Sequence, residues 1–389
     1  MKKILIIAFT FLFSLMSHQL FACTVFYAAK GNVVLAGNNE DFLNAEAYIQ
    51  FLPAEQGKHG RIYFGFFAEP GKISPFGGVN DQGLFFDTAS LGTIKLDKPP
   101  EGEIYKGNII EKILEECSSV EDALALIYRY ANILYYTNGQ IMFGDRLGNS
   151  VIIERDKVIK KAGWYQIMTN FRQTTDEFKK GNVPCGRYEV ANNLLKGAPE
   201  ISKALFQRIM ESVHQEGPYS TVYSNIYDLK NGKIYLYYFH NFFEEVTLDV
   251  AKELAKGKRI VKLNSLYSRN IAAEGFVNWK NGELEDKIKT RLAKNISSKI
   301  TDDYVGKYKI TFYNTNDSLE VIKEADRLYI LAQDSLKVEI LPESETKFFI
   351  ATLNGDMEFT FTKVETEQKI LLHIKSVQWG DEATYERKL

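Results

Sequence analysis

A two-residue turn signal, Gly-Asn at positions 31–32, separates two β-prone runs at residues 24–30 and 33–36. Such a dipeptide between apolar runs is typical of a tight β-hairpin. If the turn joins the two runs directly, its register places Cys23 opposite Glu40, and a β-bulge would shift that register by one residue. The pattern therefore predicts that the chain folds back on itself and brings a group of polar residues to Cys23.

The residues before Cys23 resemble a removable export leader. Lys2 and Lys3 are followed by an apolar run at positions 4–16, and Ala22 lies directly before Cys23. A positive start, an apolar run too short to cross a bilayer comfortably and a small residue at the end are typical of a signal peptide. The alternative is a buried helix or a membrane anchor. We expect residues 1–22 to be removed and the mature chain to be exported to the periplasm or secreted.

Two interpretations of Cys23 are open at this point. Residues 20–23, Leu-Phe-Ala-Cys, resemble both a lipobox, whose cysteine carries a lipid anchor, and an ordinary cleavage site. Lipidation blocks the thiol, whereas nucleophilic catalysis needs the thiol and the new α-amine free. A tethered protein more often continues with a flexible linker than with a strand. The strand pattern that follows Cys23 favours the free N-terminus.

The residue types near Cys23 suit nucleophilic chemistry. An α-amine has a reference pKa of about 7.7–8.0 and a thiol one of about 8.5, so the amine can take the thiol proton at little cost. A carboxylate at Asp41, brought back by the hairpin, would hold that amine and tune its pKa. The alternative for Asp41 is a carboxylate that caps a turn.

Cys-Thr at positions 23–24, the predicted hairpin and Gly-Asn-Asn-Glu-Asp at positions 37–41 resemble the opening of the choloylglycine hydrolase and penicillin V acylase group, in which Cys-Thr and a hairpin are followed by Gly-Arg-Asn-x-Asp. Further segments match in order, over roughly residues 23–245. The further matches are a Gly-Leu turn, a Ser-capped helix start, a Thr-Asn pair, a small-Arg-aromatic segment and a late strand pair. They lie at residues 78–84, 117–123, 168–170, 186–188, and 223–228 with 234–238.

The resemblance implies an N-terminal nucleophile hydrolase that cleaves linear carbon–nitrogen amide bonds, with an α+β fold built as a four-layer αββα sandwich. It implies Cys23 as the nucleophile, which forms a thioester, and its amine as the base, with Asp41 beside them. It also implies an oxyanion donor at Asn170 and a guanidinium near the sulfur at Arg187. The alternatives are a loop amide for Asn170 and a structural ion pair for Arg187.

Two positions depart from the family pattern. Asn38 stands where the family has Arg, and Ser90 stands where it has a second oxyanion Asn. Both are predicted to lie at the substrate-binding site. The changes predict poor turnover of bile-acid conjugates and of penicillin V, and they point to a backbone N–H as the second oxyanion donor.

The remaining cysteines and histidines suggest no further chemistry. Cys117 lies in a helical pattern and Cys185 in a loop, and a disulfide between them stays open. No histidine shows a metal-binding spacing and no Gly-rich phosphate loop occurs, so we predict neither a metal nor a cofactor. The formal net charge is -2, which does not suggest nucleic-acid binding. No segment after the leader is apolar enough to predict a transmembrane helix.

The pattern changes near residue 300. Residues 270–300 are charged and partly helical, and from position 304 onward short β runs alternate with turns. Seven strands are predicted, beginning at residues 307, 319, 327, 337, 347, 357 and 370. We predict a domain at 23–295 and a small antiparallel β-barrel at 300–389, which weakly resembles lipocalin-like domains appended to secreted hydrolases.

The sequence therefore predicts an exported cysteine hydrolase acting on a small N-acyl amide. Two alternatives remain, a lipid-anchored binding protein and an acyltransferase that passes the acyl group to an amine. The identity of the substrate and the choice between a monomer and a homo-oligomer stay open.

Overall fold

The computed structural model describes residues 23–69, 72–91, 105, 107–130, 139–154, 157–292, 298–310, 318–331, 337–352, 356–377 and 382–388. The predicted leader, residues 1–22, lies outside the described residues. Within them, the chain divides into two compact units. The first runs up to Phe42 and adds Phe51–Ile62 and Gly77–Lys258. The second comprises Leu43–Gln50, Tyr63–Phe76 and the chain from Arg259 onward.

Fourteen described strands precede the long helix that begins at Ile271. They are β1 Thr24–Lys30, β2 Val33–Phe42, β3 Tyr48–Leu52, β4 Arg61–Glu69, β5 Lys72–Asn80, β6 Leu84–Ser90, β7 Gly139–Asp145, β8 Ser150–Glu154, β9 Lys157–Lys160, β10 Tyr165–Met168, β11 Ser220–Asp228, β12 Lys233–Tyr238, β13 Asn241–Asp249 and β14 Arg259–Lys262. The described α-helices are α1 Ile109–Glu116, α2 Val120–Arg129, α3 Asp176–Lys179, α4 Gly186–Gly197, α5 Lys203–Val213, α6 Val250–Ala255, α7 Ile271–Arg291 and α8 Ser298–Asp303. Short 3-10 turns occur at Leu263–Leu266 and Glu365–Glu367.

The predicted hairpin is confirmed with its register. Gly31 adopts a φ of 60°, the left-handed region that such a turn requires. Strands β1 and β2 pair from Lys30 with Val33 to Thr24 with Asn39. The bulge considered from the sequence is absent from this pair, because the register is continuous over its whole length.

The hairpin lies within a six-stranded sheet of order β10-β1-β2-β11-β12-β13. Apolar side chains of α4 and α5 cover one face of this sheet and form a common buried core with it. The rings of Phe26 on β1 and Phe206 on α5 lie 4.7 Å apart, between centroids. Burial of this apolar face is the main force that holds the two helices on the sheet.

A second antiparallel sheet has the order β14-β3-β4-β5-β6-β7-β8-β9, and its strands in the first unit lie against the other face of the hairpin sheet. The contact inside the first unit is close. The Tyr27 hydroxyl donates to the backbone oxygen of Asp145 at 2.7 Å, and a Cβ on Gly144 would lie 2.5 Å from the Tyr27 ring. The rings of Phe85 and Tyr227 are 4.8 Å apart. Gly144 is therefore required where β7 passes an aromatic ring.

Helices α1 and α2 adjoin the second sheet. The Asn80 side chain donates to the backbone oxygens of Leu114 and Cys117, at 3.0 and 2.8 Å. The predicted helix start is confirmed, because the Ser119 hydroxyl caps α2 by accepting from the backbone N–H of Asp122. With helices on both outer sides, the first unit has the four-layer αββα architecture predicted from the sequence. Cys117 and Cys185 are both free thiols.

The second unit contains a closed antiparallel barrel, which confirms the predicted β-barrel. Its strands, in barrel order, are β15 Gly306–Ile310, β16 Ser318–Glu324, β17 Arg327–Leu331, β18 Lys337–Pro342, β19 Lys347–Ile350, β20 Met357–Val364, β21 Lys369–Ser376 and β22 Glu382–Lys388. Seven of the eight match the predicted runs, and β22 was not predicted. The limits of 23–295 and 300–389 for the two domains stay a prediction.

The barrel has its own core, to which Tyr304 and Phe361 contribute stacked rings at 4.2 Å. At the end of α7, Arg291 binds three carboxylates, those of Glu343, Asp356 and Glu358, at 2.9–3.1 Å. Among the described residues, no helix combines the length and the apolar character needed to cross a membrane.

Candidate active site

Cys23 directly precedes β1 and is only 5% exposed. Its thiol donates to Oε1 of Glu40 at 3.2 Å, across the hairpin. The sequence-predicted juxtaposition of Cys23 and Glu40 is therefore confirmed. Because the hairpin is local in sequence, its turn and register alone bring these two side chains together.

Strand β2 presents its polar residues to both faces of the sheet. Asn38 donates to Oδ2 of Asp87 on the second sheet at 2.7 Å, whereas Asn39 donates to the backbone oxygen of Met210 on α5 at 3.0 Å. Since side chains alternate along a strand, Glu40 shares the face of Asn38, and Asp41 shares that of Asn39. Two adjacent carboxyl groups thus lie on opposite sides of the strand that pairs with Cys23.

Asp41 is fully buried and held by three groups. Its carboxylate accepts from the Thr221 hydroxyl and, at 2.8 Å, from the side chain of Gln215, and its Oδ2 lies 3.6 Å from Nη1 of Arg187. A register shift between Thr221 and Tyr223 on β11 sets Thr221 opposite Asp41. Burial raises the pKa of Asp41 to about 7, although the Arg187 guanidinium opposes that rise.

Arg187, in the first turn of α4, connects the other members of the site. Its Nη1 donates to the backbone oxygen of Cys23 at 2.8 Å and to the Thr24 hydroxyl at 2.7 Å. Its Nη2 donates to Oδ1 of Asn170 at 3.1 Å. A guanidinium has five N–H donors in a fixed plane, which suits it to hold several acceptors at once.

Asn170 follows β10 by two residues, and its amide nitrogen donates to the backbone oxygen of Ser90 at 3.0 Å. Gln140 supports the same loop by donating to the backbone oxygens of Thr169 and Phe171. An amide NH₂ group carries two N–H bonds, and in the part of the chain that the structure describes one of those of Asn170 serves Ser90, which leaves the other for a ligand. Ser90 enters this site through its main-chain carbonyl.

The electrostatics of the site are dominated by buried carboxyl groups. Burial raises the pKa of the Cys23 thiol well above its usual value, and the carboxylates of Glu40 and Asp41 raise it further. Burial likewise raises the pKa of Glu40, and that of Asp87 is raised by burial and by Glu40. While Cys23 is part of an internal peptide bond, burial and the neighbouring carboxylates therefore favour its protonated thiol.

The structure brings four sequence-predicted residues together, because Cys23, Asp41 and Asn170 each lie against Arg187. Ser90 joins them through its carbonyl, while Asn38 is fully buried and faces Asp87 instead. The catalytic and substrate-binding roles of all six stay predictions.

Sequence reasoning assigned no role to Glu40 or Asp87, nor to Gln215 and Thr221. For Glu40 a signal was available, since the hairpin register already placed it opposite Cys23. Asp87 has no comparable local signal, because it reaches the site from the second sheet.

Comparison with known proteins gives short or distant matches. No family model matches the chain. A penicillin-binding protein of Bacillus subtilis (strain 168) is 33% identical over 78 residues, which cover 20% of this chain and 17% of that protein. The chain thus spans only a small part of this curated relative.

Among solved structures, the chain is similar to two variants of a conjugated bile acid hydrolase from Clostridium perfringens. Each is 16% identical, with TM-scores of 0.47 and 0.48; each alignment covers 64% of this chain and 97% or 99% of the other. A penicillin V acylase from Agrobacterium tumefaciens is 15% identical, with a TM-score of 0.38, covering 62% of this chain and 90% of the other. These names fall within the group that the sequence motifs resemble.

Proposed function

We propose that this protein is an exported cysteine hydrolase of the N-terminal nucleophile type, which cleaves the linear amide bond of a small N-acyl substrate through a thioester on Cys23. The convergence of Cys23, Asp41 and Asn170 on the single guanidinium of Arg187 carries the proposal. A nucleophile, a carboxylate to hold the amine and an amide donor are the parts that acyl transfer requires.

The reaction follows from these positions. Cleavage after Ala22 frees the α-amine of Cys23, which takes the thiol proton, and the thiolate attacks the substrate carbonyl. Asn170 donates its second N–H to the oxyanion, and the tetrahedral intermediate collapses with loss of the amine, which leaves with a proton. Water then attacks the thioester, releasing the carboxylic acid and restoring the thiol.

Cleavage also supplies the charge that the buried site lacks. In the uncleaved chain, Arg187 lies beside the buried carboxyl group of Asp41, while the carboxylates of Glu40, Asp41 and Asp87 raise the pKa of the Cys23 thiol and favour its protonated form. A new ammonium group at Cys23 adds a second positive charge, which offsets Glu40 and Asp41 and favours the thiolate. Removal of the leader is therefore the activating step in this proposal.

The position of the thiol supports catalysis over a lipid anchor. Cys23 is almost fully buried, its thiol faces Glu40, and the strand begins at the next residue. A diacylglyceryl group on this sulfur would have to extend from a buried position between strands to reach a membrane. The same thioester would serve an acyltransferase, with an amine in place of water.

The test uses protein purified after export and its intact mass. We expect a chain that begins with an unmodified Cys23. When the protein is mixed with substrate and the reaction is quenched, the mass of the chain should increase by one acyl group. Cys23→Ala should abolish both the adduct and turnover. Cys185→Ser, which removes a half-buried thiol at the start of α4 that makes no capping hydrogen bond, is the matched control and should retain both.

A lipid adduct on Cys23, or full turnover by Cys23→Ala, would overturn the proposal. The substrate panel comprises N-acyl amino acids, N-acyl homoserine lactones, bile-acid conjugates and penicillin V. Because of Asn38 and Ser90, the last two should be poor substrates. Analysis of products with and without an added amine distinguishes hydrolysis from acyl transfer.

A further inference from the structure

Three potential metal ligands lie together near the end of α5. His214 directly follows that helix, Glu216 lies two residues further on, and His240 occupies the turn between β12 and β13. One ligating atom from each lies within 4.8 Å of the others. The two imidazole rings are stacked, with centroids 5.0 Å apart.

The hydrogen bonding of His214 prepares it as a ligand. Its Nδ1 lies 2.6 Å from the backbone oxygen of Glu211, and since a carbonyl oxygen only accepts, Nδ1 carries the proton. In the neutral ring, Nε2 then presents its lone pair to Oε1 of Glu216, 3.5 Å away. Metal-bound histidines are typically held by such a bond from the other ring nitrogen to a carbonyl.

His240 is positioned by an uncommon backbone conformation. Phe239 and His240 have φ values of 48° and 45°, in the left-handed region that residues with side chains rarely adopt. The backbone N–H of Phe239 is fixed to the oxygen of Val222 at 3.0 Å. These restraints fix the backbone from which the His240 ring stacks on that of His214.

We propose that His214, Glu216 and His240 form a binding site for one divalent transition-metal ion, of which Zn²⁺ is the best match. Two imidazoles and one carboxylate suit zinc and its neighbours better than Mg²⁺ or Ca²⁺, which prefer sets of oxygen ligands. Glu216 is exposed, so water can complete the coordination. Ligand distances of 2.0–2.2 Å, which are typical of zinc, would require the three side chains to rotate towards a common point.

The site is connected to Asp41 by the residue between its first two ligands. Gln215 donates to Oδ2 of Asp41 at 2.8 Å, and its backbone N–H and oxygen both bind Thr221, at 2.8 and 2.9 Å. A metal ion that holds His214 and Glu216 also restrains this link. The metal site would therefore stabilise the loop that positions the Asp41 carboxylate.

The experiment titrates ZnCl₂ into metal-free mature protein by calorimetry, with MgCl₂ and CaCl₂ as comparisons. The expected result is one saturable zinc ion per chain and no comparable binding of the other two. CoCl₂ provides a second readout, because the visible spectrum of bound Co²⁺ reports its ligands. Since a free thiol such as that of Cys23 can also bind zinc, the titration is repeated with Cys23→Ser, in which the site should persist.

Two variants test the ligands. His240→Asn keeps a side chain that tolerates positive φ, and Glu216→Gln changes only an exposed group; each should weaken zinc binding by at least about tenfold. His373→Gln is the matched control, because it removes a histidine on the barrel that also lies near a glutamate, 3.6 Å from Glu382. The affinity of this variant for zinc should equal that of the wild type. The proposal is wrong if both site variants bind zinc as tightly as the wild type, or if no saturable binding is seen.

Discussion

Cys23 and Glu40 form a buried thiol–carboxyl pair, with 3.2 Å between Sγ and Oε1. A thiolate and a carboxylate at this distance would repel each other strongly where water is excluded. Burial raises the pKa of both groups, so the pair favours a state that keeps its protons. Glu40 therefore acts against early ionisation of the proposed nucleophile.

Replacement of Glu40 by Gln should lower the pKa of the Cys23 thiol. The amide keeps a hydrogen-bonding group at the same place but removes the negative charge that raises the thiol pKa most after burial itself. At a fixed pH of about 9, where Glu40 with its pKa of about 8 is ionised in the wild type, alkylation of Cys23 by iodoacetamide should become about tenfold faster, which corresponds to a shift of about one unit. The measurement is the pH profile of alkylation, followed by intact mass on the mature protein.

Asp87→Asn provides a graded control for this prediction. Asp87 also raises the pKa of the Cys23 thiol, but it is the smallest of the named contributors. Its replacement should shift the alkylation profile in the same direction and by less. An alkylation profile that moves to higher pH in Glu40→Gln would contradict the electrostatic role of Glu40.

The buried carboxyl groups also predict how stability depends on pH. The pKa of Asp41 is about 7 in the folded protein, against 3.8 normally, and that of Glu40 is also raised. The folded state thus binds these protons more tightly than the unfolded state. The contribution to stability is complete below about pH 4 and is lost as the pH rises through about 7, the reverse of a salt-bridged carboxylate.

Chemical unfolding of wild type and Glu40→Gln, measured between about pH 4 and pH 8, checks this dependence. Gln cannot ionise, so the difference between the two free energies of unfolding should grow in favour of the variant as the pH rises. Because other groups that titrate in the same pH range are present in both proteins, their contributions to the free energy of unfolding cancel in this difference. A difference that stays constant with pH would show that Glu40 has a normal pKa.

The parts of the site that the sequence predicted best depend on local structure. The turn at Gly31 and the alternation of β2 sufficed to place Glu40 opposite Cys23. Arg187 and Asn170 could be named only through the family resemblance, since 164 residues separate Arg187 from Cys23. No local pattern reports such a distant contact.

The burial of Asp87 and the strand β22 that closes the barrel were not predicted, for physical reasons. Asp87 is a polar residue in a strand pattern, and its burial depends on which sheet covers it. Strand β22 is rich in charged residues, so it lacks the apolar alternation that marks a strand. It forms because closure of the barrel gives this strand a partner on each side. Strand β15 pairs with it at Lys309 and Glu386, and β21 pairs with it along its other edge.

Replacement of Arg187 by Met should destabilise the folded protein. It leaves the buried Asp41 carboxylate without its cation, and breaking such a pair typically costs about 3–5 kcal/mol. Arg187→Lys should cost less, because it keeps the charge but loses the planar fork that holds Cys23 and Asn170. The measurement is the free energy of unfolding in urea at about pH 9, where Asp41 with its pKa of about 7 is ionised in the wild type.

The double variant Arg187→Met with Asp41→Asn separates charge from packing. Removal of the carboxylate should recover part of the lost stability, although activity stays absent. Equal stability of the single and double variants would mean that the ion pair contributes little and that Arg187 acts through its hydrogen bonds alone.

Asn170 and Ser90 should respond very differently to loss of their side chains. Under the proposed mechanism, Asn170→Ala removes an oxyanion donor and should lower kcat by about 10²–10³, with KM much less affected. Ser90→Ala leaves the backbone oxygen that accepts from Asn170, so the amide keeps its position and kcat should fall far less. Steady-state kinetics on one N-acyl amide substrate compares the two, with circular dichroism as the check on folding. If Ser90→Ala lost as much activity as Asn170→Ala, the Ser90 hydroxyl rather than its carbonyl would be the group that matters at this site.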